Sequence, residues 1–169
     1  KNIEVKNALL KQADYSFDRA LKLAPKHQEI LLGKVKMEIV AGNYKNAGSF
    51  AEECILLNPN SGNCYWYLGL AKIYQKDIDG GKRDVQAANE KKYSIDSKAS
   101  LLELSNAYGS ILDYKDLVSL YERLIVTNPR IAQYHSSLAF FYREIGEYKK
   151  AREEALRVLE LSPESKENV

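Results

Sequence analysis

The chain is poor in the residues that do chemistry. Among 169 residues there are two cysteines, two histidines, one methionine and one tryptophan. His27 and His135 stand alone, with no second His or Cys at the three- or four-residue spacing by which a helix presents two ligands to one metal. No metal, cofactor or catalytic constellation is expected. His135 reads as a satisfied histidine at a helix interface rather than a general base. Cys54 and Cys64 flank the turn Asn58-Pro59-Asn60. Two cysteines make no disulfide framework, so they read as small buried hydrophobes, a usage that leans towards a reducing compartment; pairing across the turn stays open. Gly80-Gly81 lacks the preceding strand and the Gly-Lys-Ser/Thr ending of a phosphate-cradling loop, and reads as an inter-helix turn. Glu52-Glu53 and Glu153-Glu154 lie beside basic residues and read as solvated helix faces.

An excess of one charge is also missing. Lys and Arg number 25 against 23 Asp and Glu, a formal charge of +2, far from the basic footprint that a phosphate backbone demands. Nucleic acid is excluded as the expected partner. Long apolar runs are absent too. Leu138 to Tyr142 is a turn or so of helix, whereas a membrane span needs about 20 apolar residues. Lys1 to Leu10 show no basic start, apolar core and small-residue cleavage site, so they hold no secretory signal. With 45% hydrophobic and 28% charged residues, a soluble folded domain is expected. The cytoplasm is favoured, and tethering to a membrane through upstream sequence is compatible with it.

What is present is a beat. Pro25, Pro59, Pro129 and Pro163 are separated by 34, 70 and 34 residues, each after an amphipathic stretch. A period of about 34 residues is the mark of stacked helix pairs. The last unit is the clearest. Tyr134, Leu138 and Tyr142 form an apolar ladder at helical spacing, Gly146 ends it, and Ala151, Ala155, Val158 and Leu159 build a second ladder that stops at Ser162-Pro163. Small residues such as Ala139 and Ala151 suit a close crossing of two helices.

These residues resemble the tetratricopeptide repeat family, whose pattern is a large residue, Leu-Gly, Tyr, Ala-x3-Phe and Pro at set intervals. His135, Leu138, Ala139, Tyr142, Ala151, Ala155 and Pro163 take those seats. Leu101, Leu104, Ser105, Tyr108, Leu117, Tyr121 and Pro129 repeat them, as do Tyr65, Leu68, Gly69, Gly81, Val85 and Ala88. Leu31, Val35, Ala47, Ala51, Cys54 and Pro59 fit more loosely, and Ala13, Phe17, Ala20 and Pro25 match a second helix only. The resemblance implies an all-α, right-handed α-solenoid of antiparallel helix pairs, about four and a half repeats long. It divides a single domain, 1–169, into a partial repeat 1–27, repeats 28–61, 62–97 and 98–131, and a repeat with a short tail, 132–169. The third of these is irregular, because two extra residues fall around Tyr93-Ser94-Ile95-Asp96-Ser97. Glu38 and Lys72 occupy a seat that is normally apolar; they read as solvated charges rather than an ion pair between adjacent helices. Both ends read as cuts from a longer, bacterial protein.

In such a stack the first helix of each pair lines a concave wall. Carried over seat by seat, the inward residues are Glu29, Leu32 and Lys36; Asn63, Trp66, Tyr67, Leu70 and Tyr74; Leu102, Glu103 and Asn106; and Gln133, Ser137, Phe140 and Arg143. The resemblance thus implies a groove with an aromatic floor around Trp66, Tyr67 and Tyr74 and a polar ladder of Lys36, Asn106 and Arg143. Tyr65 is expected to pack between repeats, while Trp66 is read equally as packing or as a binding anchor. The seats by which some members clamp a carboxylate-ended peptide read Leu32, Lys36, Tyr67, Ala99 and Glu103, so that clamp is broken. The expected function is a non-enzymatic scaffold holding a peptide or helix of a partner protein. Two alternatives stand beside it. One is a repeat appendage of a larger bacterial protein such as a membrane glycan polymerase or ligase, on the likeness of Tyr65 to Leu70 and Tyr121 to Ile125. The other is a module that self-associates through uncapped ends.

Overall fold

The computed structural model describes residues 2–162. Within them lie nine α-helices and no strand: α1 (Asn2–Leu23), α2 (Gln28–Ala41), α3 (Tyr44–Leu57), α4 (Gly62–Tyr74), α5 (Ile78–Glu90), α6 (Lys98–Ser110), α7 (Tyr114–Thr127), α8 (Ala132–Glu144) and α9 (Tyr148–Leu161). The expected stop at Pro163 and the tail after it lie outside the described residues. The chain forms two compact units, Lys1–Ile95 and Asp96–Val169. They divide where α5 ends at Glu90 and α6 waits until Lys98, the junction with two extra residues.

The pairing of helices follows from four equivalent turns. Gly42, Lys76, Leu112 and Gly146 all take left-handed backbone, with φ of 83°, 69°, 59° and 84°. After each, one N–H reaches back to the carbonyl five residues earlier: Asn43 to Glu38, Asp77 to Lys72, Asp113 to Tyr108 and Glu147 to Tyr142, at 2.8 to 3.0 Å. This closure satisfies carbonyls that the helix end would otherwise leave bare, and it reverses the chain within two residues. The next helices are then started by side chains in three places. Asp77 accepts from the Gly80 N–H, Ser97 from Ser100 and Asp113 from Asp116, each a cap typically worth about 1 kcal/mol.

Gly80 and Gly81 are not the turn that the sequence suggests; they lie in the first turn of α5. The reason is close packing. A Cβ on Gly69 of α4 would come within 2.9 Å of the Gly81 carbonyl, and one on Gly81 within 2.8 Å of the Gly69 carbonyl. Only hydrogen at both sites lets these two helices cross so near.

In the first unit Leu31, Cys54 and Cys64 form a buried cluster, with Leu21, Leu32, Phe50 and Ile55 packed around it. In the second, Val118, Leu138 and Tyr142 do the same, beneath Tyr121, Ile125, Phe141, Ile145 and Ala151. Each fully buried large apolar side chain in such a cluster contributes about 1.5–3 kcal/mol. The last helix differs from its counterparts. The small seats Ala47, Ala51 and Cys54 of α3 are buried, whereas no residue of α9 is buried and Leu156 and Leu159 are exposed.

The two cysteines are buried, as expected, and the pairing that the sequence left open is made. They are joined as a disulfide, with Cα atoms 5.8 Å apart. The short Asn58–Ser61 turn sets the last turn of α3 beside the first turn of α4, at a separation a disulfide bridges readily.

Candidate functional site

Three groups of side chains gather the chemistry of the first unit. The first is a buried charge. Lys34, 3% exposed, projects from α2 towards α1 and pairs with Asp14, with Asp18 at 2.7 Å and with Glu38 at 3.6 Å. Burial works to lower the Lys34 pKa, but the hydrogen bonds and charges of Asp14 and Asp18 outweigh it and hold it above the ordinary lysine value. Glu38 is buried as well and accepts from Asn43 Nδ2 at 2.8 Å. Lys72 pairs instead with Asp84 at 2.6 Å. Glu38 and Lys72 therefore do not meet, as expected, but Glu38 is not in water either. A buried carboxylate needs a cation, and the one supplied is Lys34, one turn away on the same helix.

The second group is aromatic. Trp66, which could equally have been a binding anchor, is 0% exposed and stacks on Tyr93 with ring centroids 4.8 Å apart. Tyr67 and Leu70 are buried too. Trp66 is thus a packing residue, and Tyr65, expected to be the packed one, is half-buried with Lys91 over its ring at 4.9 Å. The cause is the irregular junction. Tyr93 stands where the other repeats carry proline, and its ring covers the tryptophan. At the other end of α4, Tyr74 stacks on Tyr44 at 4.3 Å. Lys36 remains exposed over the Tyr67 ring at 5.1 Å, and Asn63 is exposed at the start of α4.

The third is a cleft of about 270 Å³ over Gly48 and Leu68, rimmed by Lys45, Ser49, Glu52, Lys72, Gln75 and Asp77. Its charges alternate in sign, and it holds no acid–base pair set against a nucleophile.

In the second unit, α8 presents Phe140, 42% exposed, with Tyr114 edge-on at 6.1 Å and the Arg143 guanidinium 4.9 Å from its centroid. Arg143 also donates to Glu144 at 2.8 Å. Asn106 is exposed on α6, while Glu103 on α6 and Ser137 on α8 are half-buried. His135 is buried, as its seat suggested. Its Nε2 lies 2.9 Å from the Pro129 carbonyl and its Nδ1 2.6 Å from Glu154 Oε2. Glu154 is consequently a packing partner rather than part of a solvated face; Glu153, Glu52 and Glu53 are exposed. Among the described residues no His, Cys, Asp and Glu side chains cluster to hold a metal ion, and no helix is long and apolar enough to cross a membrane.

No protein-family model matches the chain, and no curated protein sequence does. Solved structures do match. A crystal structure of MamA superposes with a TM-score of 0.70 at 18% identity over 99% of this chain and 90% of that one. MamA residues 41 to the end, from Desulfovibrio magneticus RS-1, give 0.65 at 16% over 95% of each chain. YrrB, a TPR protein with an unusual peptide-binding site, gives 0.63 at 17% over 96% of this chain and 82% of its own. The chain has the tetratricopeptide-repeat fold.

The seats that the resemblance marks as inward include both buried and exposed residues. Trp66, Tyr67 and Leu70 are consumed by the core of the first unit, leaving Lys36 and Asn63 accessible there. In the second unit Asn106, Phe140 and Arg143 stay accessible. The Lys34 cluster was missed by sequence reasoning, although a signal existed. Lys34 sits on the leucine seat of the tetratricopeptide pattern, and Asp14 and Asp18 are spaced to share one helix face.

Proposed function

We propose that this chain is a non-enzymatic scaffold that holds a segment of another protein against the accessible seats of α6 and α8 in its second unit. The observation that carries this reading is the exposed Phe140 of α8, held between Tyr114 and Arg143. An exposed aromatic ring with a cation on its face is the kind of residue that anchors a partner. In the same unit Asn106 on α6 offers hydrogen bonds of the type an extended backbone accepts. YrrB, of the same fold, is described by its peptide-binding site, which supports the class of ligand.

The test is affinity selection of peptides on the intact chain, followed by binding measurements on an Asn106→Ala, Arg143→Ala variant. Affinity reduced tenfold or more, with the helical circular dichroism unchanged, supports the scaffold reading; equal affinity removes it. A second reading, self-assembly, is favoured by α9, which has no buried residue and whose Ala155 is exposed where the equivalent Ala51 of α3 is buried. Sedimentation over a hundredfold dilution distinguishes it, since only self-assembly changes mass with concentration.

A further inference from the structure

Cys54 and Cys64 are joined, but their two sulfurs are held unequally. Both residues are 0% exposed. Cys54 stands in the last turn of α3 and Cys64 in the first turn of α4, at opposite poles of two helices. The start of a helix favours negative charge and its end disfavours it, so a thiolate is stabilised on Cys64 and not on Cys54.

Side chains add to the difference. A disulfide sulfur has no hydrogen to give, so in the 3.0 Å contact between Ser61 Oγ and Cys64 Sγ the hydroxyl is the donor. Gln28 fixes that direction. Its Nε2 donates to Ser61 Oγ at 2.7 Å and lies 3.7 Å from the Cys64 sulfur. Its Oε1 accepts from Asn58 Nδ2 at 3.2 Å, which holds the amide with its N–H groups inward. A disulfide sulfur is a weak acceptor and a thiolate a strong one. Donors set on this buried sulfur are therefore little used while the bond is closed and well used once it opens. Ser61 and Cys64 both belong to the start of α4, so their contact survives a movement of the exposed Asn58, Pro59 and Asn60 that uncovers the bond.

We propose that Cys54–Cys64 is a reversible redox clamp between α3 and α4, opened by a dithiol reductant, with Cys64 as the leaving thiolate. A thiolate of the dithiol attacks Cys54 Sγ, the S–S bond breaks, and its electron pair leaves on Cys64 Sγ, which Ser61 stabilises until it takes a proton from water. The second thiol of the reductant, as its thiolate, then attacks the mixed disulfide and releases Cys54. The dithiol is oxidised to a disulfide, and the two protons it gives up end on the two thiols of the protein. Ser61 touches the sulfur; Gln28, acting through Ser61, is a positioning residue.

The experiment measures the rate at which dithiothreitol reduces the intact folded chain, with a maleimide quench read by mass. Ser61→Ala and Gln28→Glu should each slow it by about fivefold or more, the second because a carboxylate draws the Ser61 hydrogen away from the sulfur. Ser61→Thr, which keeps the hydroxyl, should react at the native rate, and in denaturant all the chains should react alike. If Ser61 only covers the bond, Ser61→Ala admits the reductant and reacts faster. That result, or an unchanged rate, overturns the proposal. Glutathione, a monothiol, should give an acid-quenched mixed disulfide on Cys54 with Cys64 free; an adduct on Cys64 reverses the leaving group and overturns it too. The reduced chain should keep its helical circular dichroism and regain the disulfide when the reductant is removed. Helices lost on reduction, or a bond that is reduced in denaturant alone, make it a permanent staple and overturn the clamp.

Discussion

Tyr93 lies face to face with Trp66, 4.8 Å between centroids and 26° between planes, and seals the only tryptophan of the chain inside the first unit. The irregular junction is therefore a packing device: the residue in place of proline closes the core beneath it.

Trp66→Ala is accordingly a folding variant before it is a binding variant. Removing a fully buried indole costs about 3–5 kcal/mol, and the urea midpoint should fall by that equivalent. Tyr93→Ala should shift the native tryptophan emission to longer wavelength, because water then reaches the ring. An unchanged midpoint for Trp66→Ala is the result that contradicts its burial.

The Lys34 cluster predicts a cost for breaking it and none for replacing it. Lys34→Ala leaves Glu38 buried without its cation and should destabilise by about 3 kcal/mol, the low end of such losses because Asp14 and Asp18 are half-exposed. Lys34→Leu with Glu38→Tyr restores the apolar seats of the repeat pattern and should be neutral or more stable than the native chain. Urea titration of the two variants checks this; a double variant weaker than Lys34→Ala contradicts it.

Alkaline pH should loosen the second unit. Burial first, then the hydrogen bond to Glu122, raises the Tyr142 pKa. Burial first, then Asp116 and Asp113, raises that of Tyr108. With folded values raised, the folded state keeps protons that the unfolded chain releases above about pH 10. Stability from these groups is full below that pH and falls as pH rises through it. Urea midpoints between pH 8 and 11 should decline, and Tyr142→Phe should decline less. Lys34, also raised, works in the same direction in the first unit.

The disulfide should be countable. Native protein should show no free thiol to a maleimide, and two after reduction in denaturant. Replacing both cysteines by alanine removes the constraint on a short loop and should cost about 2–3 kcal/mol. Two thiols labelled without reduction would contradict the pairing.

Repeat period, helix pairing and fold class were legible because they are local. Gly42 and Gly146 mark turns, and ladders such as Tyr134, Leu138 and Tyr142 mark faces, each within one or two turns of chain. Lys76 and Leu112 were invisible as turn residues, since the fold imposes a conformation that neither prefers. Charges were misread for the same reason. Glu38 and Glu154 look solvated in a helical wheel; the packing of neighbouring helices buries Glu38 together with Lys34, its neighbour on α2, and brings His135 of α8 to Glu154 of α9. The sequence by itself determined that helix pairs repeat, since periodicity and turn chemistry act between near neighbours. Which aromatic is core and which is surface was decided by tertiary structure alone. Burial of Trp66 and exposure of Phe140 depend on what another helix or linker places over the ring.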